Sequence, residues 1–189
     1  MKGYLGRPEA TAEVVGPDGW FHTGDIGMLD DDGYLRITGR KKNIIVTAGG
    51  KNVSPETVEK PLKTNRFVEQ VVMVGDKRKF VSLIVVPSFE ALTAWARENG
   101  VSVPGDRRNL LADPRVQALM EREVMGHLPE LARYERPKKL LLLDRELTVD
   151  DGTLTPTQKV VRHRVQERFK EAIDQMYREE NVDRTVFVA

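Results

Sequence analysis

Three local patterns carry residue types suited to a phosphorylated ligand. The first, Phe21-His22-Thr23-Gly24-Asp25, ends in a carboxylate directly after a glycine. Such an aspartate at a strand end can present two acceptor oxygens to a neighbouring pair of hydroxyls, as on a ribose. Taken alone, the motif reads more readily as a turn aspartate bonded to its own backbone. The second joins Gly39-Arg40-Lys41-Lys42-Asn43 to Gly49-Gly50-Lys51. Arginine offers a planar fork for phosphate or a diol, and paired glycines let backbone approach a ligand closely. A solvated basic run followed by a tight turn accounts for the same residues. The third, Leu154-Thr155-Pro156-Thr157-Gln158-Lys159, sets a lysine at the end of a turn and the expected start of a helix. An ammonium on a flexible stem can meet charge developing on phosphate and carboxylate oxygens; an exposed surface lysine is the alternative. A Walker-type loop, Gly-x-x-x-x-Gly-Lys-Ser/Thr, is absent from the chain.

The elements that must position these residues follow from periodicity and punctuation. The first forty residues read as strand and turn, with Asp30-Asp31-Asp32-Gly33 as a hairpin signal between two short aromatic and β-branched runs. That strip is too small to bury a core of its own. After a strand at 43–47 and the Gly49-Gly50 turn, Ser54-Pro55-Glu56 opens a helix with serine at the N-cap and proline at its first position. Strands are expected at 68–74 and 80–86 as an antiparallel pair, with helices at 89–98 and from Asp113 to about Leu128. Residues 100–109 read as a loop and 138–144 as a strand. A single final helix is expected over about 159–179, with Val161, Val165, Phe169, Ile173 and Tyr177 on one stripe. Together these predict an α+β fold: a small mixed or antiparallel sheet with flanking helices, preceded by a short β-hairpin segment.

Composition removes several function classes. The 189 residues include 30 Lys plus Arg against 29 Asp plus Glu, so no overall field marks nucleic acid as a partner. Cysteine is absent, which excludes disulfides, thiolate metal sites and a cysteine nucleophile and is compatible with a reducing cytoplasm. The three histidines, His22, His127 and His163, lie in no metal-ligand spacing, so no metal site is expected. The longest apolar runs, such as Leu140 to Leu143, fall far short of the roughly 20 residues of a transmembrane segment.

In their order, these patterns resemble the adenylate-forming, AMP-binding superfamily of acyl- and aryl-CoA synthetases, luciferases and adenylation domains. Gly3-Tyr4, Pro8-Glu9-Ala10-Thr11 and Gly19-Trp20-Phe21-His22-Thr23-Gly24-Asp25-Ile26-Gly27 carry the first part of the likeness. Gly33-Tyr34-Leu35-Arg36-Ile37-Thr38-Gly39-Arg40-Lys41-Lys42 carries the second, and the segment around Lys159 the third. The resemblance implies the mobile C-terminal lid domain over 42–189, with 1–41 as the end of the large adenylate-binding domain. It implies ribose binding by Asp25, with Arg40 beside the same ribose and phosphate, and a hinge at Lys42. It also implies a pantetheine tunnel lined by Gly49, Gly50 and Lys51, and Lys159 as the catalytic lysine of adenylation.

The family reaction joins a carboxylate to ATP with Mg2+, giving acyl-adenylate and pyrophosphate, after which the thiol of CoA displaces AMP. The stretches around Thr47 to Pro55 and Leu154 to Arg162 resemble long-chain fatty acyl-CoA ligases, with Gln158 where other branches have glycine. ATP and Mg2+ would then be held mainly by the protein's own N-terminal domain, with CoA and a fatty acid as the other substrates. The expected setting is cytoplasmic, with any membrane association supplied by the parent protein. The phosphate loop and acyl tunnel of the family are not in these residues, so the start at Met1 is read as a truncation point and the chain alone is expected to be inactive. Two other readings stand beside this one: the lid of an acyl-AMP ligase or carrier-protein-loading adenylation domain, and a non-catalytic binding module with the lid fold. Arg136-Pro137-Lys138-Lys139 suits the phosphates of CoA, or else is a solvated basic edge. Arg107-Arg108 has the same ambiguity.

Overall fold

The computed structural model describes residues 1–103, 105–128, 130–178 and 185–189. They form two units, Met1–Ile44 and Ile45–Ala189. In the first, helix α1 (Pro8–Val14) precedes a hairpin of β1 (Asp25–Leu29) and β2 (Leu35–Arg40), and a 3-10 turn spans Lys41–Asn43. The hairpin turns at the expected residues. Gly33 takes φ 84°, and the Asp30 side chain accepts from the Tyr34 amide at 2.8 Å. Helix α1 corrects the reading of this region as strand and turn alone; Pro8 at its first position and Glu9 in its first turn were the available signals. Trp20, Tyr34, Leu35 and Ile37 are exposed, and no large apolar side chain of this unit is buried.

The second unit is built on a four-stranded sheet in the order β5 (Val68–Val74), β6 (Ser82–Pro87), β7 (Leu140–Leu142), β8 (Val186–Val188). The first pair is antiparallel and the other two are parallel. Because side chains alternate along a strand, the register lines them into transverse rows. Val72, Ile84, Leu141 and Phe187 form one row, and Met73, Leu83, Leu140 and Val186 the next, on the opposite face. The first row packs with Val165, Phe169, Ile173 and Met176. The second packs with Val58, Leu62, Leu92, Leu111 and Met120. With both faces covered, β7 and most of β5 and β6 read as continuous apolar runs, broken by Glu69 and Gln70 in β5 and opened by Ser82 in β6.

The covering helices are α2 (Pro55–Leu62), α3 (Phe89–Glu98), α4 (Arg107–Ala112) and α5 (Pro114–Gly126) on one face, and α6 (Arg162–Arg168) and α7 (Lys170–Met176) on the other. Before them, β3 (Ile45–Val46) and β4 (Asn52–Val53) pair as a short ribbon. Two expectations need correction. The loop expected at 100–109 ends inside α4, which Asp106 caps by accepting from the Arg108 amide. The single final helix is two, beginning at Arg162 and interrupted at Phe169, where φ is −104° and ψ 20°. Its expected end at Glu179 lies outside the described residues.

One polar contact ties the layers together. Arg162, the first residue of α6, meets Glu59 of α2 through both carboxylate oxygens, at 2.8 and 3.2 Å. The same guanidinium donates to the Met73 carbonyl at 2.5 Å, and Glu59 accepts from the Met73 amide at 2.6 Å. Side-chain exposure is only 22% for Arg162 and 12% for Glu59, so each charge depends on the other for solvation. Removing one partner leaves the other stranded. Arg162→Ala should therefore lower unfolding free energy by about 3 kcal/mol, while a double replacement of the pair by Met and Leu should cost much less. In the core, Leu141→Ala should cost about 2–5 kcal/mol. Urea denaturation of each variant measures both effects.

Candidate functional site

In the first unit, Asp25 and Arg40 are register partners across the β1–β2 hairpin, and Arg40 Nε lies 2.7 Å from Asp25 Oδ1. The two residues singled out separately in sequence are thus brought together. Thr23 accepts from the Asp25 amide at 3.1 Å and fixes the start of the strand. Lys42 lies in the 3-10 turn Lys41–Asn43, which follows β2 directly.

In the second unit, Gly49, Gly50 and Lys51 form the loop between β3 and β4. The Gly50 amide donates to the Thr47 carbonyl at 2.8 Å, and Gly50 adopts φ 71°, a left-handed conformation that favours glycine. The Thr47 hydroxyl accepts from the Lys51 amide at 3.2 Å, closing the loop on itself. A Cβ added at either glycine would meet nothing within 4 Å, so the loop is open to a ligand on that side.

Lys159 is exposed and lies ahead of α6, in a tight turn rather than at a helix start. The turn closes by hydrogen bonds from Thr155 N to the Lys159 carbonyl (2.8 Å) and from Lys159 N to Thr155 Oγ1 (3.0 Å). Gln158 takes φ 61°, which costs a side-chain-bearing residue about 1 kcal/mol. A glycine would adopt it freely, so the backbone keeps the shape that glycine favours. Both ends of the segment are moored to β5. Gln70 accepts from the Leu147 amide at 2.7 Å and donates to its carbonyl at 3.0 Å, and Arg162 binds Met73 as above. Between them, Asp151 accepts from the Thr153 amide at 2.9 Å and pairs with Arg168 at 3.3 Å. Burial acts to raise the Asp151 pKa, but bonds from the Thr153 hydroxyl and amide and the Arg168 charge outweigh it, and the carboxyl is held below its ordinary range.

A basic cleft of about 410 Å3 adjoins the glycine loop. Thr47, Gly49 and Lys51 line it together with Lys79, Phe80, Arg133, Tyr134, Arg136 and Lys138. Five cations and two aromatic rings in one concavity suit an anion that carries a flat ring. Lys51 Nζ lies 5.7 Å from the Tyr134 ring centre, and Lys138 Nζ 5.5 Å from that of Phe80. Sequence reading flagged Arg136 to Lys139 but missed Lys79, Phe80, Arg133 and Tyr134, which only folding brings beside Lys51. Lys139 is buried. Arg107 pairs with Glu146 at 3.5 Å and stacks on Phe89, whereas Arg108 lines a different cleft beside Arg145 and Arg168. Among the described residues no three His, Asp or Glu side chains converge as a metal site, and no helix is long and apolar enough to cross a membrane.

Residues 42–103 match the family model of the AMP-binding enzyme C-terminal domain. The chain is 39% identical over 180 residues to the long-chain-fatty-acid–CoA ligase FadD15 of Mycobacterium tuberculosis, a match covering 95% of this chain and 30% of that protein. It is 39% identical over 181 residues to the peroxisomal long chain acyl-CoA synthetase 6 of Arabidopsis thaliana, covering 94% of this chain and 26% of that one. Among solved structures, the adenylation domain of a carboxylate reductase from Mycobacterium chelonae superposes with a TM-score of 0.70 at 28% identity, over 93% of this chain and 26% of that chain. An O-succinylbenzoate coenzyme A synthetase from Bacillus subtilis, in complex with AMP, gives 0.56 at 26% identity, over 86% and 27%. The chain thus spans under a third of the length of these relatives. Residues 42–103 thus carry the AMP-binding enzyme C-terminal domain, and the chain as a whole is similar to one end of acyl-CoA ligases.

Proposed function

We propose that this chain is the lid segment of an ATP-dependent long-chain fatty acid–CoA ligase, working with an N-terminal domain that holds the nucleotide and acyl group. The observation that carries the reading is the pairing, within one compact unit, of an exposed lysine on a moored turn with a basic cleft beside an open glycine loop. Two half-reactions with different charge demands need two such surfaces. In the first, a carboxylate oxygen attacks the α-phosphorus of ATP and pyrophosphate leaves. Lys159 Nζ offsets the negative charge gathering on the reacting oxygens. In the second, the CoA sulfur attacks the acyl carbon and the bond to AMP breaks. Gly49, Gly50 and Lys51 border the pantetheine path, and the cleft of Arg133, Arg136 and Lys138 receives the phosphates of CoA.

In the same reading residues 1–41 complete the adenylate-binding domain and 42–189 form the lid. Lys42 is the hinge, where a few backbone torsions absorb the swing from one half-reaction to the next. Asp25 offers its second oxygen to a ribose hydroxyl while Arg40 holds the first. The described residues offer no carboxylate cluster suited to Mg2+, so no step on this chain is assigned to that ion. The similarity to a carboxylate reductase adenylation domain supports a second reading, with carrier-bound pantetheine as acceptor. The cleft favours CoA, whose nucleotide end brings additional phosphate and a ring to its cations and aromatics.

In the full-length enzyme, Lys159→Ala should slow acyl-adenylate formation by on the order of 10²-fold, while thioester formation from supplied acyl-adenylate stays within about threefold. Equal loss of both half-reactions would sink the role given to Lys159. Arg136→Ala with Lys138→Ala should raise KM for CoA about tenfold or more and leave KM for ATP unchanged. An unchanged KM for CoA, with normal transfer to a carrier protein, would favour the second reading.

A further inference from the structure

The β5–β6 turn makes a set of contacts that the reaction just described does not use. The Asp76 side chain accepts from the Val46 amide through Oδ1 at 3.1 Å. The next two residues continue the pairing through backbone: the Lys77 amide donates to the Val46 carbonyl at 2.8 Å, and the Arg78 carbonyl accepts from the Ala48 amide at 2.9 Å. Three hydrogen bonds therefore seize residues 46–48, the arm that leads into Gly49, Gly50 and Lys51. The ribbon of β3 and β4 pairs only two residues a side and cannot hold that loop firmly by itself.

The turn that does the holding is itself in a demanding conformation. Lys77 takes φ 58° and Gly75 φ 145°, and a Cβ on Gly75 would come within 2.8 Å of Val81 Cα. Left-handed backbone at a lysine costs about 1 kcal/mol and persists only where surrounding contacts over-determine it. Those contacts come from α7 and from Tyr177, the residue that follows it. Arg78 pairs with Asp174 and lies 5.0 Å from the Tyr177 ring centre, and that ring packs on Phe80 at 4.9 Å. Burial pushes the Tyr177 hydroxyl up to about 12, so the ring stays a neutral packing surface. Phe80 in turn lines the basic cleft.

We infer that Asp76 is a positioning residue for the thioester-forming half-reaction, with the β5–β6 turn as a bracket between α7 and the loop of Gly49, Gly50 and Lys51. The inference rests on the reading of that loop as the CoA path. Asp76 acts through the backbone of Val46 and touches no substrate. Its carboxylate is needed as an acceptor, and an amide oxygen can take its place.

The test measures both half-reactions of the full-length enzyme separately. Asp76→Ala should raise KM for CoA about fivefold, the effect of one lost hydrogen bond, with pyrophosphate exchange within about twofold of wild type. Asp76→Asn should restore the CoA value, because its side-chain oxygen still accepts from Val46. Amide exchange at Val46 and Ala48 should quicken in the alanine variant and return in the asparagine variant, a readout on the chain itself that needs no activity. Gly75→Ala, which displaces the turn without touching Asp76, should give the same selective loss. A wild-type CoA profile for Asp76→Ala, a parallel fall in both half-reactions, or failure of asparagine to restore would each overturn the inference. If the variants at Arg136 and Lys138 also leave KM for CoA unchanged, the reading of the cleft fails; if only Asp76→Ala is silent, the bracket alone fails.

Discussion

Arg162 and Glu59 meet through two parallel hydrogen bonds, and both also bond the backbone of Met73. This contact joins helix α2, strand β5 and helix α6, elements that lie on both faces of the sheet. Apolar packing alone drives the faces together without fixing how one helix is set against another. A bidentate, poorly solvated ion pair does fix it, because a small displacement costs each charge its oppositely charged partner. Arg162 stands three residues after Lys159, and α2 begins two residues after β4. The pair therefore governs where both loops of interest leave the core.

The sheet supplies the rigidity that the pair directs. Its rows of Val, Ile, Leu, Met and Phe run across all four strands with no polar interruption, and each row belongs to one face. The candidate residues of the second unit keep to the margins of this block. Lys159 projects from a turn anchored at both ends to β5, and Gly49, Gly50 and Lys51 extend from a two-residue ribbon propped by the β5–β6 turn. Each loop has a fixed root, an arrangement suited to groups that must approach a ligand accurately and then withdraw.

Charge is distributed with the same economy. The chain is almost neutral overall, yet Lys51, Lys79, Arg133, Arg136 and Lys138 converge on a single cleft. Aromatic rings beneath two of these cations hold their positions without neutralising them, whereas Arg162, Arg168 and Arg78 are each bound to carboxylates. The cleft gathers cations where an anionic ligand could meet them, and Arg162, Arg168 and Arg78 serve the fold.

Much of this was legible in residue order. The strands expected at 68–74 and 80–86 from their apolar content and bounding turns form at 68–74 and 82–87, and the helix after Ser54-Pro55 is announced by its cap and proline. Asp25, Arg40, Gly49, Gly50, Lys51 and Lys159 stand in or beside the motifs that carry the family resemblance, so their candidacy needed no coordinates. The interruption at Phe169 was not legible. A stripe at every fourth residue drifts about 40° per step on a 3.6-residue helix, so it cannot stay on one face for sixteen residues; the break resets it. Helix α1 escaped for a related reason, since seven residues with no buried face carry no periodic signal. The motifs also hide their supports. Glu59 and Arg162 are 103 residues apart, and Asp76 and Val46 are 30 apart. No local rule links them. Local chemistry therefore determined which residues could act and which segments could form. Only the tertiary structure decided which were brought together, because hydrogen bonds and ion pairs between distant residues depend on a geometry that exists only once the sheet has closed.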